Sequence, residues 1–301
     1  MTYTEVQKKN KKNYYYRVKS VKKKGKVTKK RIYLGTDITK DELKQREKEA
    51  DKVLNESLNK LLSKEETEKL EKIKKTFRNL PESTFENRYE AFVAKFTYDS
   101  NAIEGNTINL KETSYLLFEN KTPPGKSLRE INEVLNHKKA FDYILNYKKD
   151  ITKEFICEIQ KLITQNTLKK HLEDQIGKYR NVQVYIRGAD FVPTKPEEVG
   201  MEMRSLLRWY NSNKKRLHPL ILAAYFHAAF EAVHPFVDGN GRTGRLLLNF
   251  ILHKNNFPMV DIPNSKKLTY YGCLEEAQQK NKLKKFVSFL YNLMLGNEKY
   301  I

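Results

Sequence analysis

A mainly α-helical bundle, interrupted by one short β-hairpin and preceded by a small basic β arm, is the fold this sequence predicts. Three observations carry the expectation. Apolar residues recur at helical spacing along most of the chain after residue 36, and two nearly unbroken apolar stretches, Pro219 to Val233 and Leu246 to Leu252, read as buried helices. Strand-like alternation is confined to the first 35 residues and to residues 181–193. With 301 residues at 39% hydrophobic content, the chain has material for a real core, as one large or two modest domains. The expected divisions are a basic β-hairpin arm over 1–36, a helical connector over 37–80 and a larger helical domain over 81–301.

Taken in order, the arm comes first. Residues 1–35 hold thirteen Lys and Arg against the single acid Glu5, more than half of the net charge of +21. Tyr14 to Lys19 and Lys29 to Leu34 read as two strands joined around Gly25 and closed by Gly35. Aromatics interleaved with lysines suit nucleic acid, so binding through residues 1–35 is one expectation, and a solvated lysine-rich hairpin or a docking arm for an acidic protein is the other. Over 36–80 twelve basic and eleven acidic residues nearly cancel. Leu43, Ala50, Leu54, Leu58, Leu61 and Leu62 recur at helical spacing, giving amphipathic helices that begin near Asp37 or Thr39 and could support a homodimer; the next helix ends near Leu80-Pro81.

From Ser127 to Thr167 the apolar spacing is that of bundle helices. Asn181 to Ile186 then alternates as a short strand, turned at Arg187-Gly188-Ala189-Asp190 into Phe191-Val192-Pro193. No early segment joins basic residues to an apolar run, and the stretch around Leu220 to Phe230 is too short to span a bilayer, so the expectation is a cytoplasmic protein without membrane contact. Cys157 and Cys273 lack metal or disulfide spacing. His227 has no third ligand at metal spacing and reads as a hydrogen-bonded core histidine.

Between the two apolar helices lies His234-Pro-Phe-Val-Asp-Gly-Asn-Gly-Arg-Thr-Gly-Arg245, a mixture that packing alone does not require. Pro235 stops the first helix at His234. Gly239-Asn240-Gly241 permits positive φ and turns backbone N–H groups inward at a helix N-terminus, a site for phosphate. Arg242 and Arg245 sit three apart in the first turn, where forked guanidinium groups can grip a polyphosphate. Asp238 offers one hard oxygen for Mg²⁺. His234 can accept a proton from an attacking hydroxyl, and Phe236 anchors the loop.

This constellation, His-Pro-Phe-x-Asp-Gly-Asn-Gly-Arg-x-x-Arg, resembles the complete signature of Fic domains, mostly AMP transferases acting on a Ser, Thr or Tyr hydroxyl of a target protein. The resemblance implies a Fic-fold bundle using ATP and Mg²⁺. It gives His234 as general base and Asp238 as Mg²⁺ ligand. Gly239, Asn240 and Gly241 become the phosphate cradle, Arg242 and Arg245 the clamps, and Phe236 a further residue of the nucleotide site. Gly241, where the phosphotransferase branch carries lysine, points to adenylyl transfer. Ser100-x-x-x-Glu104-Gly105 is similar to the family's inhibitory segment, which implies that Glu104 pairs with Arg245 and takes the place of the γ-phosphate. The 181–193 hairpin looks like the Fic flap, with Val184, Tyr185 and Ile186 registering a target segment by strand addition. Tyr271 is expected at the adenine, and Gln278 stands near a position where relatives often place asparagine. Two other activities stay open: a hydrolase that strips AMP from a modified protein, and a nucleic-acid-binding regulator working through the arm.

Overall fold

The structure, a computed structural model of the chain, describes residues 2–9, 12–23, 26–186, 192–279 and 282–296. The arm is a three-stranded antiparallel sheet, β1 (Thr2–Lys9), β2 (Lys12–Lys23) and β3 (Lys26–Thr36), in that spatial order. β1 adds a strand to the two expected. Its only apolar side chains, Tyr3 and Val6, fall on opposite faces, so its pattern carries no signal, and pairing from Thr2↔Lys19 to Lys9↔Lys12 makes it a strand. The expected turn at Gly25 lies outside the described residues.

Thr39 opens α1 (Lys40–Asn59) through a capping box with Glu42, and Ser63 opens α2 (Lys64–Arg78) through one with Glu66. Arg17 of β2 donates from Nε and Nη2 to both carboxylate oxygens of Asp51 at 2.8 and 2.7 Å, fastening the sheet to α1. The remaining helices are α3 (Phe85–Ile103), α4 (Leu110–Phe118), α5 (Leu128–Asn146), α6 (Lys153–Thr164), α7 (Pro196–Asn213), α8 (Pro219–Val233), α9 (Asn240–Lys254), α10 (Lys267–Gln279) and α11 (Leu283–Gly296). Leu58, Leu62, Leu70 and Ile73 of the connector join the same apolar core as Phe96, Phe141, Leu206, Phe226, Leu247 and Phe286.

α8 is the spine of that core. Leu220, Ile221, Leu222 and Phe230 are buried at 1% exposure or less and are spread round the whole helix, which is why the stretch shows no polar face. Each such side chain contributes roughly 1.5–3 kcal/mol on burial. Two of them therefore offset the 1–3 kcal/mol or so that an irregular backbone costs where α8 ends. Among the described residues no helix is long and apolar enough to cross a membrane.

The 181–193 hairpin departs from expectation. Asn181–Ile186 and Val192–Lys195 are not in strands, and the turn 187–191 lies outside the described residues. The cause is local. Pro193 has no N–H to give a ladder. The carbonyls of Val182 and Thr194 accept instead from Arg180, and those of Val184 and Pro193 from Gln183 Nε2.

Candidate active site

α8 ends on His234, which takes the left-handed conformation (φ 51°, ψ 62°) that a side chain rarely adopts. Arg180 holds it there. This residue is 2% exposed. Its Nε donates to His234 O at 2.8 Å, its Nη2 to Val233 O at 3.3 Å, and its backbone N–H to Pro235 O at 2.9 Å. The same guanidinium reaches Val182 and Thr194, so one buried cation ties both stems of the flap to the histidine. Nothing in the linear pattern marks Arg180 for this, because its partners are carbonyls brought near by folding.

Past His234, Phe236 is fully buried between the rings of Tyr179 and Phe230, at centroid distances of 5.5 and 6.4 Å. It anchors the loop. Asn240 braces it: its Oδ1 accepts from the Phe236 N–H at 2.9 Å and its Nδ2 donates to Phe236 O at 2.8 Å. Its side chain thus shapes the cradle and leaves the backbone to face the ligand. Gly239 caps α9 at φ 79°, and a β-carbon there would strike Thr164 and Ile163. Of the expected cradle only Gly239 has positive φ. Gly241 is already helical, and glycine is needed there because Glu104 Oε1 and Arg245 Nη1 occupy the space of its missing side chain. The first N–H groups of α9 have no intrahelical acceptor, as at any helix N-terminus.

The two arginines of that terminus take different partners. Arg245, 2% exposed, donates from Nε to Ser100 Oγ (3.0 Å) and from Nη2 to Ser100 O (2.8 Å) and Glu104 Oε1 (2.7 Å), while its Nη1 is buried without a protein partner. Arg242, equally buried, lies 3.6 Å from both Glu133 Oε1 and Asp238 Oδ1, and its Nε and Nη1 are also unpartnered. Buried guanidinium donors without acceptors cost free energy unless an anion completes them. Three of them lie beside a helix N-terminus, the setting in which an anion finds hydrogen-bond donors.

Glu104 is the C-cap of α3, followed by Gly105 at φ 100°. The turn is fixed to α5: Asn106 donates to Glu133 Oε2 at 2.9 Å and to Glu130 O at 3.0 Å. Thr107, through both its hydroxyl and its N–H, donates to Glu130, which also caps α5. The Thr107 and Ser127 hydrogen bonds pull the Glu130 carboxyl down to about 2. The glutamate is thereby presented over Gly241.

Residues 150–252 match the model of the Fic/DOC family. A solved Fic domain containing signaling protein from Bacteroides thetaiotaomicron superposes with a TM-score of 0.69 at 28% identity, covering 77% of this chain and 95% of that one. Residues 150–252 of the chain are thus a Fic/DOC domain. Fic-1 from C. elegans superposes with the same TM-score and identity over 88% of this chain and 78% of its own. Among curated proteins, the protein adenylyltransferase Fic of Drosophila persimilis is 37% identical over 199 residues, and that of Nematostella vectensis 36% identical over 198. Each match covers 64% of this chain. The chain spans 37% of the first relative's length and 45% of the second's.

Within this Fic site, Tyr271 is 40% exposed at the edge of the cleft, while Tyr270 beside it is buried and bonds His227. Gln278 donates to Ala228 O of α8 at 3.3 Å and so braces α10. Val184, Tyr185 and Ile186 lie on the flap stem, with Tyr185 77% exposed. Of four residues of the site that the motif does not name, Arg180, Glu133 and Tyr270 reach it only through tertiary packing, and Glu231 stands one helical turn before His234.

Proposed function

We propose that this chain transfers AMP from Mg·ATP to a hydroxyl of a target protein, and that Glu104 restrains it. The observation that carries the reading is the convergence of unpartnered Arg242 and Arg245 donors on the α9 N-terminus, with Glu104 laid over the same place. The α- and β-phosphates of ATP suit the amides of residues 240–242, and Arg245 Nη1 and Arg242 suit their outer oxygens. His234, 19% exposed in its side chain, takes the proton of the attacking hydroxyl; pyrophosphate leaves from the opposite side of phosphorus.

The donor set fits Mg²⁺ in one respect. Asp238 Oδ1 accepts from the Gly239 N–H at 2.6 Å, while its Oδ2 has only Arg129 at 3.8 Å, leaving one hard oxygen for an ion otherwise held by phosphates and water. When bound there, Mg²⁺ neutralises phosphate charge. Among the described residues no group of three His, Cys, Asp or Glu side chains gathers to hold a metal without substrate.

Glu104 competes with the nucleotide for Arg245. A carboxylate on that guanidinium takes the donors a γ-phosphate needs, so inhibition is intramolecular. The test is intact-mass spectrometry after incubation with Mg·ATP. Wild type should carry little AMP and Glu104→Gly much more; equal labelling would remove the inhibitory role. The same Glu104 position favours one second reading, hydrolysis of AMP from a modified protein with Glu104 holding the water. Release of free AMP from an adenylylated target without ATP would support it, and an intact target would exclude it.

A further inference from the structure

Glu231 precedes His234 by one helical turn on α8, with a side chain 9% exposed. A carboxylate inside the most apolar helix is costly unless paired, so its partners identify its task. Oε2 faces His234 Nδ1 at 3.5 Å, the loose geometry common to catalytic contacts before substrate arrives. Oε1 lies on the other side, against Gly244. A β-carbon at 244 would collide with it and with the His227 ring.

His227 is fully buried, one turn before Glu231, and its Nε2 is 2.7 Å from the Tyr270 hydroxyl. Burial holds the His227 imidazole below its ordinary pKa and the Tyr270 phenol well above, so both are neutral. The Gly244 backbone beside His227 Nδ1 favours a proton on that atom, which borders Gly244 together with Glu231 Oε1. Nε2 is then the acceptor for the Tyr270 hydroxyl. Burial pushes the Glu231 carboxyl up, but the His234 hydrogen bond, with Arg245 nearby, more than offsets it and holds the carboxyl below its ordinary value. Tyr270 and His227 are hydrogen-bonded, and Glu231 lies between the His227 ring and His234 Nδ1.

We propose that Glu231 is the positioning residue for His234: it accepts the Nδ1 proton, fixes the tautomer whose Nε2 is free to take a hydroxyl proton, and is itself given its place by the space at Gly244, which it shares with the His227 ring. The proposal rests on His234 acting as the base of the transfer reaction. In that step the hydroxyl O–H bond breaks to Nε2, the Nδ1 proton stays in place, and the carboxylate stabilises the imidazolium without taking a proton.

The test has two readouts. Long-range ¹H–¹⁵N spectra of the labelled full chain without nucleotide, with His234 assigned by its loss in His234→Ala, should show the Nδ1–H form in wild type and in Glu231→Gln, whose amide oxygen still accepts. Glu231→Leu should lose it. In a Glu104→Gly background, Glu231→Leu should lower kcat for AMP transfer about 100-fold or more with KM for ATP within about twofold, and Glu231→Gln should fall between. An unchanged tautomer or an unchanged kcat in Glu231→Leu overturns the proposal. Should Glu231→Leu not fold, Glu231→Gln decides: a lower kcat at constant KM supports positioning, and full kcat refutes it. No transfer by Glu104→Gly alongside the expected tautomers would sink the transferase reading and leave the placement of His234 standing.

Discussion

One wall of the proposed site, the α9 N-terminus, buries Asn240, Arg242, Thr243 and Arg245 at 2% exposure or less, with Asn240 braced on Phe236 and donors of both arginines left without hydrogen-bond partners. The other, the flap stems of residues 181–186 and 192–195, exposes Val182, Tyr185 and Val192 and has no ladder of its own. The first is arranged before any ligand arrives, as suits the proposed nucleotide. The second is left short of backbone partners, as suits the proposed target segment adding as a strand. Arg180 is the only described side chain that bonds both stems and the catalytic loop.

That contrast can be broken from either side. The largest effect belongs to the rigid wall: His234→Ala should cut AMP transfer by about 10²–10⁴-fold while calorimetric ATP binding stays nearly intact, because the phosphate donors are elsewhere. Glu104→Gly should raise auto-modification by about 10- to 100-fold, the value of one charge-assisted contact to Arg245. Arg180→Ala orphans several buried carbonyls at once, so it should lower stability by about 2–3 kcal/mol in denaturant melts and raise KM for the target more than for ATP. Tyr185→Ala, on the exposed stem, should change KM for the target by only a few fold and stability by less than about 0.5 kcal/mol.

A pH measurement probes a second contact of α3, with the segment that follows α9. Asp261 is buried beside Asp99, with Lys95 bonded to Asp261. Burial first, and the Asp99 charge second, push Asp261 up to about 8, against the pull of Lys95. Between 3.8 and about 8 the native state then holds a proton that the unfolded state has released. Stability contributed by this group is full below that window and is lost as pH rises through it. Asp261→Asn should flatten the decline of Tm with pH, and an unaltered slope would remove Asp261 as its cause.

The catalytic loop was legible because its chemistry is contiguous: a base, an acid, glycines and two arginines within twelve residues, bounded by Pro219 and Pro235 as helix signals. Glu104 was legible because its serine partner sits one turn away on the same helix. What escaped acts through space. Glu133 reaches Arg242 from α5, Arg180 reaches four carbonyls, and Tyr270 rather than Tyr271 turns inward, a choice set by helix phase that the Tyr-Tyr pair does not reveal. β1 was hidden for a different reason: its strand state comes from its neighbour. In the arm, Arg17 and Arg31 pair with Asp51 and Glu5, so part of the positive charge that suggested nucleic acid is spent within the protein.

The most direct test compares the intact masses of Glu104→Gly and of the Glu104→Gly, His234→Ala double variant after incubation with Mg·ATP. An AMP adduct on the first and none on the second is the expected result. No adduct on either, or the same adduct on both, would contradict a nucleotide site at the α9 N-terminus served by His234.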